Sequence, residues 1–221
     1  MSVHAMSSEQ ASAVKRRGHQ REGEFNQRFG FPEAEINWSG SSADCLLNES
    51  RLPLGFAQWA ARNNVLLGSC VSLKSGNTIQ IHLGNLPELT NKEEYYAAKN
   101  ALGQTVVDHG IPFEEQQDTL KSRAFWEKYL KKGDVMCYVD DLKGEYLFFK
   151  MDDVISFIID KCEWRLLRTG RIKGDFFGKQ VLTYEYRSRK KTFVLGAHGG
   201  SNGKKFINIL KENLDVCVVE K

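Results

Sequence analysis

The sequence predicts an α/β to α+β fold built on a mixed β-sheet flanked by helices, with an antiparallel, β-rich C-terminal half. Three patterns carry that prediction. Helix-period apolar residues alternate with short strand-like runs in the first half, and β-branched and aromatic runs separated by turn residues dominate the second. No internal repeat and no Gly-, Ser- or Pro-rich linker divides the 221 residues. With 41% hydrophobic residues, 27% charged residues and 4 Pro, the composition is that of one globular domain, expected over 15–221 behind a polar disordered tail at 1–14.

Over 17–29, Glu22, Phe25 and Phe29 share a helical face at i, i+3 and i+7, which places a carboxylate among apolar side chains; Gly30 and Pro32 stop the helix. Strand-like runs follow at 35–38 and 43–47, then a short helix at 56–62. Further strands at 66–74 and 78–83 are joined by the turn Ser75-Gly76-Asn77. A helical segment over 91–132 is expected as two helices, 92–108 and 114–131, separated by Gly110 and Pro112. The remainder, 134–221, reads as a hairpin (134–139 with 146–150), a short helix at 152–159 and an antiparallel meander (164–168, 180–188, 192–195). A helix near 205–213 and a strand at 216–219 complete it.

Charge is unevenly spread. The net formal charge is +3, yet 163–205 holds eleven Lys and Arg against Glu163, Asp175 and Glu185, a local excess of eight. Cations interleaved with Trp164, Phe176, Phe177, Tyr184, Tyr186 and Phe193 fit a phosphate-binding face, and equally a solvated sheet edge protected against pairing. No run approaches the ~18 apolar residues of a membrane helix, and 1–10 lacks a signal-peptide core, so a soluble, cytoplasmic protein is expected. The five cysteines form no CxxC pair and the five histidines no HxxxH or HExxH, which argues against a disulfide framework and a zinc site and leaves the thiols as core residues. The loop 196–205 follows an apolar strand and precedes a helix, but His198 and Lys205 stand where a P-loop needs Gly and Ser or Thr, so no nucleotide cofactor is expected. As a nest of amides with Lys204 and Lys205 it suits a DNA phosphate; a mobile glycine loop is the other reading.

The candidate chemistry lies earlier. Asp44 opens an otherwise apolar strand and needs a cation, a donor or an active site; Lys74 ends an apolar run at a strand terminus and needs an anionic partner. Were the two strands adjacent, both charges would meet at one sheet edge, where a divalent cation, a water and a phosphate can be held together for phosphodiester hydrolysis.

The order of a helix-borne Glu, then Asp, then x-x-Lys on neighbouring strands resembles the PD-(D/E)XK, or restriction-endonuclease-like, nuclease superfamily over about 17–83. Gly18, Glu22, Phe25 and Phe29 match the family's N-terminal helix, Asp44 its metal-binding aspartate and Lys74 its motif lysine. Ser72 stands where the family carries Glu, Asp or Gln, so one ligand is weakened or supplied from elsewhere. The resemblance implies a Mg²⁺-dependent DNA endonuclease, with Mn²⁺ as a substitute. Asp44, Glu22 and the Leu73 carbonyl would hold the metal, Lys74 would orient the water, and Ser72 would take the motif-carboxylate position. Gln80 and His82, Arg187, Arg189, Lys190 and Lys191, and Lys204 and Lys205 are the candidate DNA contacts. Within the superfamily, size and economy look most like a type II restriction enzyme acting as a homodimer on double-stranded DNA. A structure-specific, phage-type or homing nuclease on the same core and a non-catalytic DNA-binding protein are the alternatives.

Overall fold

The computed structural model describes residues 8–31, 44–66 and 68–221. These form a mixed α/β structure that divides into two compact units, one from residues up to Ser75 with Lys132–Lys150 and Val216–Lys221, the other from Gly76–Lys131 with Met151–Asp215.

With elements numbered along the chain, the first unit holds strands β1 (Cys45–Leu46), β2 (Cys70–Ser75), β6 (Val135–Asp140), β7 (Glu145–Lys150) and β12 (Val216–Glu220), in the sheet order β1-β2-β6-β7-β12. The β2–β6 pair is parallel, with Val71 opposite Val135, and the other neighbours run antiparallel. A parallel pair needs a long crossover. Here 76–131 provides it.

Helices α1 (Ser8–Phe29) and α2 (Leu54–Arg62) contribute Phe25, Phe29, Phe56 and Trp59 to a core with Val71, Val135, Cys137, Val139 and Phe148. Strand alternation puts these sheet residues on one face. Phe148 is the hinge of this packing: its ring lies 4.8 Å from Phe56 and 5.7 Å from Phe29. Gly30 ends α1 where the Leu46 carbonyl would stand only 2.9 Å from a Cβ, so a larger residue would push the helix off β1.

In the second unit an antiparallel sheet runs β3 (Ile79–Leu83), β11 (Thr192–Ala197), β10 (Lys179–Arg187), β9 (Ile172–Phe176), β8 (Cys162–Leu166). Helices α3 (Phe113–Leu120), α4 (Arg123–Tyr129), α5 (Met151–Lys161) and α6 (Asn202–Asn213) belong to the same unit. Trp126 stacks on Trp164 at 6.1 Å and Phe157 on Phe176 at 5.5 Å, docking α4 and α5 on the sheet.

A buried polar chain crosses this unit. His109 Nε2 lies 2.5 Å from the Gly170 carbonyl, Nδ1 lies 2.8 Å from Thr90 Oγ1, and Tyr184 Oη lies 2.9 Å from the same Thr90 oxygen. A carbonyl only accepts, so Nε2 carries the proton of the neutral ring; Thr90 then donates to Nδ1 and Tyr184 donates to Thr90.

The helix α2, the β6–β7 hairpin, α5, α6 and β12 stand where the sequence pattern puts them, and four of the cysteines are buried, with Cys70 half-buried and all thiols free. Five expectations need correction or completion. The expected helix 114–131 is two helices, α3 and α4, parted at Lys121 and Ser122. The segment 92–108 is not a helix but a hairpin of β4 (Tyr96–Lys99) and β5 (Thr105–Asp108). Its turn is set by Asn100, whose Oδ1 accepts the amides of Leu102 and Gln104 at 3.0 and 2.9 Å, and by Gly103 at φ +69°; Tyr96 and Thr105-Val106-Val107 favour strands on either side.

Residues 8–14 of the expected tail are helical and extend α1. Strand β3 does not follow β2 in the same sheet, because β2 continues along β6 while β3 joins β11. Strand β9 completes a meander expected with three strands. The run at 35–38 and the start of 43–47 lie outside the described residues.

Candidate functional site

Strand β1 is two residues long, so it covers only the first part of β2: Cys45 pairs with Val71 and Leu46 with Cys70. Asp44 sits just where this pairing ends. Its amide donates to the Val71 carbonyl at 3.0 Å, and its Oδ2 accepts the Leu73 amide at 2.7 Å, so the side chain takes the next donor along β2. Backbone groups of alternate residues in a strand face the same edge. The Leu73 carbonyl therefore projects toward the edge that Asp44 occupies. The Leu73 side chain packs on the helix-covered core, and alternation sends Ser72 and Lys74 to the opposite face.

Glu22 comes to this site from α1. His19, one turn earlier, holds Glu22 Oε2 at 3.2 Å through Nδ1, and both side chains are 15% exposed. Burial raises the Glu22 pKa, against the His19 hydrogen bond, and the Asp44 charge raises it further. Burial likewise lowers the Lys74 pKa; Asp44 and Glu22 resist that shift, whereas Lys132 adds to it. Glu22, Asp44, Lys74 and Lys132 thus share one electrostatic environment on the first unit. Cys45 lies within the same field, and its thiol, pushed up to about 12 by burial and then by Asp44 and Glu22, is no nucleophile.

The helix is held in rotation by the residue next to Glu22. Arg21 Nη1 donates to Ser75 Oγ at 2.9 Å and Nε to Asp141 at 3.0 Å, which ties α1 to the end of β2, beside Lys74, and to the β6–β7 turn. Lys221 closes the clamp, 2.9 Å from Asp141 and 3.4 Å from Glu24.

A hard divalent cation takes oxygen ligands. Asp44, Glu22 and the Leu73 carbonyl are donors of that kind, and Ser72 is fully buried with a hydroxyl that finds no hydrogen-bond partner among the described residues. No group of three or more His, Cys, Asp or Glu side chains gathers among the described residues, so a cation here would draw further ligands from backbone and water.

The other candidates lie on the second unit. Gln80 is exposed on β3, and His82 meets Tyr129 edge-on at 5.0 Å. Arg187, Arg189, Lys190 and Lys191 form the exposed tip of the β10–β11 hairpin. Much of the strand-borne charge is compensated: Arg165 pairs with Asp175 at 2.7 Å, Arg171 and Arg187 with Glu185 at 3.4 and 3.7 Å, and buried Lys173 donates to Thr183 at 2.9 Å. Lys205 is exposed and Lys204 half-buried on α6, and the Gly203 amide beside them donates to the Asn77 carbonyl at 2.8 Å.

Three contributors were not read from the sequence. His19 had a signal, its i, i+3 spacing to Glu22; Arg21 and Lys132 had none, because their partners are distant in the chain.

No helix among the described residues is long and apolar enough to cross a membrane. Comparison with protein-family models, with curated proteins and with solved structures gives no match to this chain.

Proposed function

We propose that this protein is a Mg²⁺-dependent DNA endonuclease with a restriction-endonuclease-like catalytic unit. The observation that carries the reading is the clip of Asp44 Oδ2 to the Leu73 amide, one residue before Lys74, with Glu22 of α1 near enough for its charge and those of Asp44 and Lys74 to act on one another. Asp44, Glu22 and the Leu73 carbonyl would hold the cation, which supplies charge neutralisation at the scissile phosphate. Lys74 orients the attacking water, and its lowered pKa lets it accept a proton more readily than a solvated lysine. His19 fixes one oxygen of Glu22. The exposed cations 187–191 hold the DNA backbone.

On this reading the enzyme works in the cytoplasm as a type II-like homodimer on duplex DNA and needs no nucleotide. The test is incubation of the full chain with supercoiled plasmid, with Mg²⁺, with Mn²⁺ and with chelator. Metal-dependent discrete fragments are expected. Cutting confined to forks or junctions would select the structure-specific alternative, and DNA binding without cutting under any metal would leave a non-catalytic binder.

A further inference from the structure

The tip of the β10–β11 hairpin combines two kinds of side chain. Arg187 pairs with Thr192, and the turn between them closes with the Lys190 amide donating to the Arg187 carbonyl at 3.0 Å. Arg187 leans toward Glu185, while Arg189, Lys190 and Lys191 make no ion pair among the described residues. Lys191 adopts φ +47°, a left-handed conformation that Gly takes without the Cβ penalty and Asn more readily than Lys, so the turn keeps its last cation at a cost in stability.

Directly below the turn stand Tyr186 and its cross-strand partner Phe193. Phe193 is buried. Tyr95, from the chain entering β4, packs against both, 5.9 Å from Tyr186 and 5.5 Å from Phe193, and Tyr186 lies 5.1 Å from Phe193. Tyr95 and Tyr186 are both half-exposed, so a buried ring supports two rings that reach solvent beside unpaired cations.

We propose that this hairpin tip binds single-stranded DNA, with Tyr95 and Tyr186 stacking on unpaired bases and the turn cations holding the flanking phosphates. Aromatic rings beside cations are the chemistry of single-strand recognition, because every base offers a π-face whatever its identity. In a duplex those faces are already stacked on each other and offer the tyrosines nothing. The cations alone would serve either form; the tyrosines are what distinguish them. The inference rests on the proposed function for the choice of DNA as the polymer, and it is independent of the candidate metal site.

The experiment titrates the full chain, in chelator so that nothing is cut, into a labelled oligothymidine of about 12 nucleotides, the matching duplex and an oligouridine of equal length. Tighter binding of the DNA single strand than of the duplex is expected. Tyr95→Leu and Tyr186→Leu, which keep apolar volume over Phe193, should each weaken single-strand binding by about 5-fold or more and leave duplex binding unchanged. Tyr186→Phe, which keeps the ring, should bind as the parent does. Equal or tighter binding of the duplex, leucine variants that bind oligothymidine like the parent while melting at the parent temperature, or preference for oligouridine would each overturn the proposal. Plasmid cleavage by a protein that ignores the single strand would remove this inference alone; tight single-strand binding without cleavage would remove the nuclease reading alone.

Discussion

The Asp44 carboxylate holds the Leu73 amide through Oδ2, and in the proposed reaction it would also bind the cation. Substitutions have to separate these. Asp44→Ala orphans the Leu73 amide and should cost about 1–3 kcal/mol of stability, measured by urea unfolding. Asp44→Asn keeps an acceptor for that amide but loses the charge, so it should fold like the parent, bind DNA in chelator and cut plasmid at least ~100-fold more slowly with Mg²⁺. Lys74→Met should behave in the same way, since it removes the ammonium and retains the stem. Near-parental cutting by either variant would remove the residue it changes from the reaction and, with it, the site as proposed.

Ser72 invites the opposite expectation. Its hydroxyl is buried without a hydrogen-bond partner among the described residues, so Ser72→Ala should be neutral or stabilising by up to ~1 kcal/mol. An unchanged Mg²⁺ dependence of cleavage in that variant would place residue 72 outside the metal shell.

At the scale of elements, the first unit depends on one strand side chain to seat two helices. Phe148→Ala removes the ring that both Phe29 and Phe56 meet and should cost about 3–5 kcal/mol. The second unit depends on a proton. Burial lowers the pKa of His109, more than the Gly170 carbonyl and Asp108 raise it, and its Nδ1 must stay unprotonated to accept from Thr90. Above its ordinary pKa of about 6.5 the ring is neutral in folded and unfolded chains alike, and the chain of bonds is intact. As pH falls below that value the unfolded chain protonates first. Stability is then lost until the depressed folded pKa is reached, at no more than about 1.4 kcal/mol per pH unit from this group.

His198, also buried with a lowered pKa, adds loss of the same sign. Urea midpoints between pH 7.5 and 5 should therefore fall in the parent, and fall less in His109→Asn. An identical slope in the two would assign the acid sensitivity to His198 or to other groups. Both elements were legible only in part. The 3.6-residue period of Phe25 and Phe29 announces α1, whereas 92–108 offers apolar residues that suit a helix until Asn100 and Gly103 impose their turn.

At the scale of the molecule, DNA affinity should be set by charges that the protein does not neutralise itself. Arg165, Arg171 and Arg187 are partnered within the sheet, but Lys190 and Lys191 form no ion pair among the described residues. Lys190→Gln and Lys191→Gln should each reduce the log–log salt slope of DNA binding by about 0.7–0.9 for every phosphate left without its cation, whatever the sequence bound. A slope equal to the parent's would mean that the turn does not touch phosphate. Such a division between paired and available charge cannot be read from a net excess of eight over 163–205, because the Arg165–Asp175 and Arg171–Glu185 pairs join residues that only the sheet brings together. The sequence by itself determined the mixed α/β class, the helices α1, α2, α5 and α6 and the β-rich second half, all of which follow from periodicities within a few residues. It also placed Glu22, Asp44 and Lys74 in an order worth testing. Only the tertiary structure decided that β2 runs along β6 while β3 belongs to another sheet, that Asp44 binds the Leu73 amide, and that Arg21 holds α1 against Ser75 and Asp141. These are pairings over 29 to 120 residues. Local pattern specifies which face a side chain takes on its own element; which elements become neighbours is fixed by burying those faces together, and that outcome is a property of the whole chain.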